Sequence, residues 1–373
     1  MPSNAIMKNA IKFGIAAAIA IAVIASSIVT STTPSPILGT DLVDSGNDSG
    51  GTNIQTSEQK TLRIGYFPNI NHAQAVIGLG RGDFQKALGD NVEVKTQIFN
   101  AGPAAIEALF ANQIDVTYIG PNPAINGYVQ SNGEALRIIS GAASGGAVFV
   151  VRNDSGINSP QDLANKKFSS PQLGNTQDVA LRKYLLDNGY KTKENGGNIE
   201  IIPAKTADIV SLMIKKDIDG AWVPEPWGAK LIKEANAKVL VDEHDLWPNG
   251  QFITAHIIAR TDYIEKNSDV IKKLLDAHID ITIWINDNGE EALQIFNAEL
   301  NKLMGQTIPE DEFREGISRI ELTYDPVKES LFKSANDAFD IGFLGKARPD
   351  LSEIYDVKIL NEVLKERGLQ EIS

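Results

Sequence analysis

Residues Leu62–Gly78 read LRIGYFPNINHAQAVIG. A short apolar strand, LRIGYF, runs into a turn of Pro and Asn and then into a helix-forming run. Three further stretches repeat the pattern: Gln97–Gln113 (QIFNAGPAAIEALFANQ), Asp115–Gln130 (DVTYIGPNPAINGYVQ) and Lys167–Leu185 (KFSSPQLGNTQDVALRKYL). Strands that alternate with helices in this way predict an α/β fold with a largely parallel sheet. Ligands of such sheets sit outside the carboxyl ends of the strands. Helix N-termini gather there, each with unpaired N–H groups and a positive dipole end. Several aimed at one cleft hold an anion without any catalytic machinery.

Working outward, VEVKTQIF, ALRIIS and AVFVVR read as further strands of a first set. Asn71 is expected to cap its helix, with Gln74 completing a capping box. Pro103 suits a first helical turn, and Asn122-Pro123 reads as cap and first turn of the next helix. A second set begins near Ser159. Its strands are KKFSS, IEIIPA, DGAWVP and AKVLVD; Asn175 or Thr176 caps VALRKYLLDNG, and Thr206 caps ADIVSLMIKK. After Arg260 the pattern is almost wholly helical, including the single runs YIEKNSDVIKKLLDAHIDITIWI and DEFREGISRI. Two βα sets predict two lobes, with AVFVVR and FITAHIIAR as the crossings between them. One lobe is then discontinuous, residues 61–152 and 251–373, and the other is the insert 153–250.

The chain has 373 residues, enough for two core-bearing lobes. Its net charge of −13 argues against nonspecific nucleic-acid binding. A small anion remains compatible, because distant surface charge is screened beyond roughly 8 Å. There is no cysteine, which excludes disulfides, thiol nucleophiles, thiolate metal sites and a lipidated-cysteine anchor. His244, His256 and His278 are widely spaced and form no metal motif, so no metal and no cofactor are expected.

Lys8 and Lys12 precede the apolar run Phe13–Val29. Residues 1–29 are read as an export signal, cleaved near Ala25-Ser26-Ser27 or retained as a membrane anchor. Residues 30–60, rich in Ser, Thr, Gly and Pro, are read as a flexible spacer that lifts a domain off a membrane. Asn47-Asp48-Ser49 is a glycosylation sequon.

The runs LRIGYFPNINHAQAVIGLGRGDF, ANQIDVTYIGPNPAINGY, SSPQLGNTQDVALRKYL and DGAWVPEPWGAKL, in this order and spacing, carry a resemblance. Together they resemble the substrate-binding proteins of nitrate/sulfonate/bicarbonate-type ABC importers, the aliphatic-sulfonate and taurine binders above all. The resemblance covers about Thr61 to Arg260. It implies a type II periplasmic-binding-protein fold, capture of a small oxyanion, and delivery to an ABC permease with its ATPase. It implies a periplasmic or cell-surface location and no catalysis.

Carried onto this sequence, the resemblance implies a cleft lined by Asn69, Asn71 and His72; by Gly120, Pro121 and Asn122; by Ser144, Gly145 and Gly146; by Gly174, Asn175 and Thr176; and by Pro224, Glu225 and Trp227. Asn, Ser, Thr and backbone N–H groups suit sulfonate or nitrate oxygens, and glycines admit a close backbone approach. Glu225 is unexpected beside an anion; it binds a ligand amine or local backbone donors. Trp222, on an apolar strand, is expected in the core. These stretches contain no Lys or Arg, which favours a sulfonate or another organic ligand over nitrate or bicarbonate.

Two other classes compete. An enzyme or binder acting on thiamine pyrimidine precursors shares the resembled fold, but no G-x-S-x-G, H-E-x-x-H or P-loop motif is present. A sensor ectodomain is expected to carry a second membrane span and an output module, and the pattern shows neither.

Overall fold

The computed structural model describes residues 59–305 and 307–373. The Phe13–Val29 run, the spacer up to residue 58 and the Asn47 sequon lie outside them. The strands described, in chain order, are β1 (Lys60–Tyr66), β2 (Val92–Ile98), β3 (Val116–Ile119), β4 (Leu136–Gly145), β5 (Ala147–Arg152), β6 (Lys167–Pro171), β7 (Glu200–Ala204), β8 (Gly220–Pro224), β9 (Ala237–Asp242), β10 (Ile253–Arg260) and β11 (Ile320–Leu322). They form two sheets, ordered β11-β4-β10-β3-β1-β2 and β7-β6-β8-β5-β9. Each sheet anchors one lobe of an α/β molecule.

Both sheets are mixed, which corrects the expectation of largely parallel ones. β1 pairs in parallel with β2 and β3, and β6 with β7 and β8. β10 runs antiparallel to β3 and β4, and β5 antiparallel to β8 and β9. An apolar run reports burial on both faces and carries no sign of direction. β5, AVFVVR, is buried along almost its whole length. Phe149 on β5 stacks on Trp222 of β8, centroids 5.2 Å apart, so Trp222 belongs to the core as expected.

The chain passes from the first sheet to the second across Gly146 alone, between β4 and β5. It returns through two 3-10 turns, Glu243–Leu246 and Pro248–Gly250, into β10. Helices pack on both sheets, and separate apolar clusters lie on the two faces of each. Among the described residues no helix is long and apolar enough to cross a membrane.

Three local expectations fail for identifiable reasons. The long helix after Arg260 breaks at Asn267, which ends the helix Thr261–Lys266 and accepts the first amides of Ser268–Asp287. The run DEFREGISRI is helical only over Glu310–Ile317; Ile320–Leu322 leaves it to pair with β4. Asn71 and Gln74 form no capping box. The Gln74 amide donates instead to the Ala142 carbonyl at 2.6 Å.

Candidate ligand cleft

Five helical segments begin just beyond the carboxyl ends of parallel strands. A 3-10 turn, Ile70–His72, follows β1 and leads into Ala73–Gly80. Gly102–Phe110 follows β2 and Pro121–Gln130 follows β3. Thr176–Asp187 follows β6 and Thr206–Ile214 follows β7. Their first residues converge on one cavity between the lobes. From the first sheet come Phe67, Asn69, Asn71, His72, Asn100, Ala101, Gly120 and Thr254; from the second, Pro171, Asn175, Thr176, Gln177, Thr206 and Pro224. The cavity is about 20 Å³, about the room one water needs.

The lobes are in direct contact around it. The Gly102 N–H donates to Asn175 Oδ1 at 3.4 Å, and the Ile70 N–H to the Glu225 carbonyl at 3.2 Å. The Trp227 indole N–H donates to Asn69 Oδ1 at 3.0 Å. A Cβ placed on Gly120 would stand 2.3 Å from Thr176 Oγ1 of the facing lobe. Glycine at this position is what lets the two walls meet.

The lining contains neither Lys nor Arg. His72 is fully buried, and burial pushes its pKa down to about 3, so the ring is neutral near pH 7. The Phe67 N–H donates to its Nδ1 at 3.4 Å, which leaves the ring proton on Nε2. Asn71 donates from Nδ2 to the Thr254 carbonyl at 3.4 Å. Asn71 Oδ1 and Thr176 Oγ1 are buried without a hydrogen-bond partner in the protein. An unmade bond of this kind costs about 1–3 kcal/mol; the Thr176 hydroxyl can donate to a ligand oxygen, whereas Asn71 Oδ1 only accepts and suits a ligand N–H or O–H.

Asn175 occupies the N-cap position, yet its side chain caps nothing. Its Oδ1 takes Gly102 N–H across the cleft and its Nδ2 donates to Gln177 Oε1 at 3.0 Å. The first bonds to the Asn175 carbonyl come from Asp178 and Val179. The Thr176 and Gln177 amides are therefore orphan donors at the start of the helix.

Of the residues expected in the cleft, Asn69, Asn71, His72, Gly120, Asn175, Thr176 and Pro224 line this cavity. The others stand elsewhere. Pro121 begins the helix behind Gly120, and Asn122 is turned away, donating to the Ser334 carbonyl at 3.2 Å. Gly174 has φ of 78° and serves the loop; its N–H donates to Asp178 at 2.9 Å. Ser144 and Gly145 face a separate hollow beside Asp242 and Arg319. Gly146 lies against Ile320.

Glu225 is fully buried, accepts the Ala229 N–H at 3.0 Å and pairs with Arg319 at 2.9 Å. Trp227 sits in the second lobe's core and reaches the cleft only by holding Asn69. Asn100 and Ala101, with Phe67, Pro171, Gln177, Thr206 and Thr254, complete the lining without having been expected there. The turn IFNAGP carried the same signal as its neighbours and could have supplied the first two. Thr254 is the second residue of β10, where nothing in the local sequence marks it.

This architecture is the type II fold of two-lobed periplasmic binding proteins. The chain belongs to the NMT1-like family, whose family model matches residues 55–297. It is similar to the taurine-binding periplasmic protein of Escherichia coli (strain K12), 27% identical over 198 residues, 53% of this chain and 58% of that one. The alkanesulfonate-binding protein SsuA from Xanthomonas axonopodis pv. citri, solved bound to MOPS, superimposes with a TM-score of 0.65 at 17% identity, covering 78% of this chain and 96% of that one. The periplasmic nitrate-binding protein NrtA from Synechocystis PCC 6803 gives a TM-score of 0.66 at 17% identity, covering 83% and 89%. The two structures share the fold.

Proposed function

We propose that this chain is the extracytoplasmic solute-binding component of an ABC importer and that its ligand is a small organic oxyanion, an aliphatic sulfonate or taurine. The observation that carries the reading is the cleft itself: converging helix starts, orphan amides at Thr176 and Gln177, and no charged side chain in the lining. Dipole ends and N–H donors hold an anion there at short range. Pro171, Pro224 and Phe67 supply an apolar wall for an alkyl tail.

A sulfonate is larger than one water, so entry requires the lobes to part. Among the described residues, Gly146 and residues 243–252 are the only backbone links between the sheets, and hinge rotation there opens the cleft. Closure on the ligand then presents the joined lobes to a permease, and its ATPase drives release. No bond is broken. In this reading the lobes follow the two sheets: residues 61–145 and 253–373 are one lobe and 147–242 the other, and the boundary expected at 152 moves to Gly146 because β5 pairs with β8 and β9. The Phe13–Val29 run carries the chain outside the cytoplasm, as a cleaved signal or as a retained anchor.

The test is a thermal-shift screen with alkanesulfonates, taurine, nitrate, bicarbonate and pyrimidines. A ligand at 100 times its dissociation constant adds about 2.7 kcal/mol of stability. A shift with sulfonates or taurine is expected; a shift with pyrimidines alone would overturn the reading. Thr176→Val keeps the side-chain shape and removes the unpartnered hydroxyl. It is expected to weaken the responding ligand about tenfold, the worth of about one hydrogen bond, with a change in melting temperature of no more than a few degrees. Unchanged affinity, read by titration calorimetry, would remove Thr176 from the site.

A further inference from the structure

The helix Glu310–Ile317 and β11 form a strap across the first crossing between the sheets. At one end β11 pairs with β4, setting Ile320 opposite Gly145 and Leu322 opposite Ala143. At the other end the helix lies against the second lobe. A Cβ on Gly316 would stand 3.3 Å from Glu225 Oε2 of that lobe and 2.9 Å from Ile70 Cδ1 of the first. Lys233 of the helix Trp227–Glu234 pairs with Asp311 at 2.5 Å.

Between these ends the strap presses on the crossing. A Cβ on Gly145 would be 2.3 Å from the Arg319 carbonyl oxygen, and one on Gly146 would be 2.3 Å from Ile320 Cγ1. Both glycines hold positive φ, 81° and 77°, a region other residues enter only with strain. The glycine pair therefore makes room for the strap and does not admit a ligand.

Arg319 reaches from the strap into the second lobe. Its Nη1 donates to Glu225 Oε1 at 2.9 Å and its Nε lies 3.4 Å from Asp242 Oδ2. Its Nη2 is held by Glu315 of the strap itself at 2.9 Å. The fork geometry of a guanidinium lets one side chain engage all three carboxylates. Glu225 passes the constraint on to the cleft. Its carbonyl takes the Ile70 N–H, and Trp227, two residues on, holds Asn69 Oδ1. Asn69 and Ile70 open the turn that brings Asn71 and His72 to the cavity.

We infer that Arg319 and Glu225 are positioning residues: their part-buried pair ties the strap to the second lobe, fixes the closed setting of the lobes and holds the Asn69–His72 turn at the ligand. The structural half stands on the contacts alone, and the ligand half rests on the solute-binding reading. Breaking the tie favours the open molecule and speeds ligand escape. Association is little affected, because the open cleft already admits the ligand.

The absence of cysteine allows a clean distance measurement. Spin labels at Ile98→Cys and Leu173→Cys, exposed positions on opposite lobes and outside the cleft lining, report lobe separation in the full chain. Glu225→Gln keeps an acceptor for Ala229 and loses the ion pair; Arg319→Gln loses it from the other side. Each is expected to shift the label distances to longer values without ligand. With taurine as probe, each is expected to raise the dissociation rate about tenfold, a typical coupling between distant sites. Combining them is expected to add little beyond either alone, as for one shared interaction, and Arg319→Lys is expected to restore part of the effect. Unchanged label distances in Glu225→Gln and Arg319→Gln would overturn the inference. If unsubstituted protein fails to bind taurine, the solute reading loses support for that ligand, and the distance measurement still decides the strap. If Arg319→Gln fails to fold, Glu225→Gln alone decides it.

Discussion

Gly120→Val is expected to weaken ligand binding by about 100-fold, about 2.7 kcal/mol, while the protein stays folded. Gly120 has φ of −70° and ψ of 160°, extended backbone open to any residue. Its substitution therefore brings no backbone strain. The three atoms nearest an added Cβ are Thr176 Oγ1 at 2.3 Å and Thr176 Cβ at 3.4 Å, both of the facing lobe, and the Thr254 carbonyl oxygen of its own lobe at an ordinary 3.5 Å. The clash of the Cβ lies across the cleft. It is absent when the lobes part and unavoidable when they meet. The substitution acts as a wedge that spares the core and removes the closed state.

The cost to folding is expected to stay near 1 kcal/mol, that of a poorer N-cap residue. Gly120→Ala is expected to give a smaller loss, and adding Thr176→Ser to it does not help, because the hydroxyl remains. Gly120→Ala with Thr176→Ala removes the opposing atom and should bind better than Gly120→Ala alone, even though Thr176 itself is lost. Calorimetry with the ligand found by the screen reads all four proteins. Wild-type affinity in Gly120→Val would show that ligand binds without the closure seen here.

The βα units of the first 260 residues were legible because each carries its own punctuation. Strand, Pro/Asn/Gly turn and helix lie within about twenty residues, so the places where helices begin near the cleft could be read locally. What the side chains do there could not. Asn175 has the residue type and position of a cap, but Gly102, 73 residues away, recruits its oxygen. Gln74 completes a capping pattern in sequence and spends its amide on Ala142. In both cases a tertiary partner outbids the local one.

The same limit explains Gly145 and Gly146. A glycine pair beside a cleft strand suits ligand approach, yet the atoms that demand it belong to Arg319 and Ile320, 174 residues further on. β11 is three residues long and follows a helix directly, too short for a period of two to show. Strand direction was hidden for β5 and β10, because burial on both faces leaves the same apolar run whichever way a strand points.

Stability is expected to be greatest above pH 7 and to fall in acid, by up to about 2.7 kcal/mol per pH unit near pH 5. Three histidines are fully buried and neutral. Burial lowers His72 to about 3 and His256 and His278 to about 4, from 6.5. His256 is bonded to the Pro326 carbonyl and His278 to Gly141 and Tyr118, each at 3.0 Å, so no room is left for a solvated cation. The unfolded chain takes up these protons near pH 6.5 and the folded chain does not. Their contribution is therefore complete above pH 6.5 and is lost as pH falls toward 4, with a slope of up to three protons.

Glu243 works in the opposite sense. It is buried under the indole N–H groups of Trp222, at 2.7 Å, and Trp247, at 3.4 Å, and burial raises it to about 7 from 4.5. Its contribution is complete below pH 4.5 and is lost as pH rises through 7. Between pH 4.5 and 6.5 it offsets about one of the three histidine protons, and near pH 7 the loss of its contribution and the tail of the histidine titration nearly cancel. Glu243→Gln keeps an acceptor for Trp222 and cannot ionise. It should steepen the acid side by about 1.4 kcal/mol per pH unit and let stability go on rising between pH 6.5 and 7.5, where the unsubstituted protein is nearly level. Urea unfolding at pH 4.5, 5.5, 6.5 and 7.5 measures both proteins. A wild-type stability that is level from pH 5 to 6.5 would mean that at least two of these histidines are protonated within the folded chain. Their burial, and with it the packing of Tyr118 and β10 around them, would then be wrong.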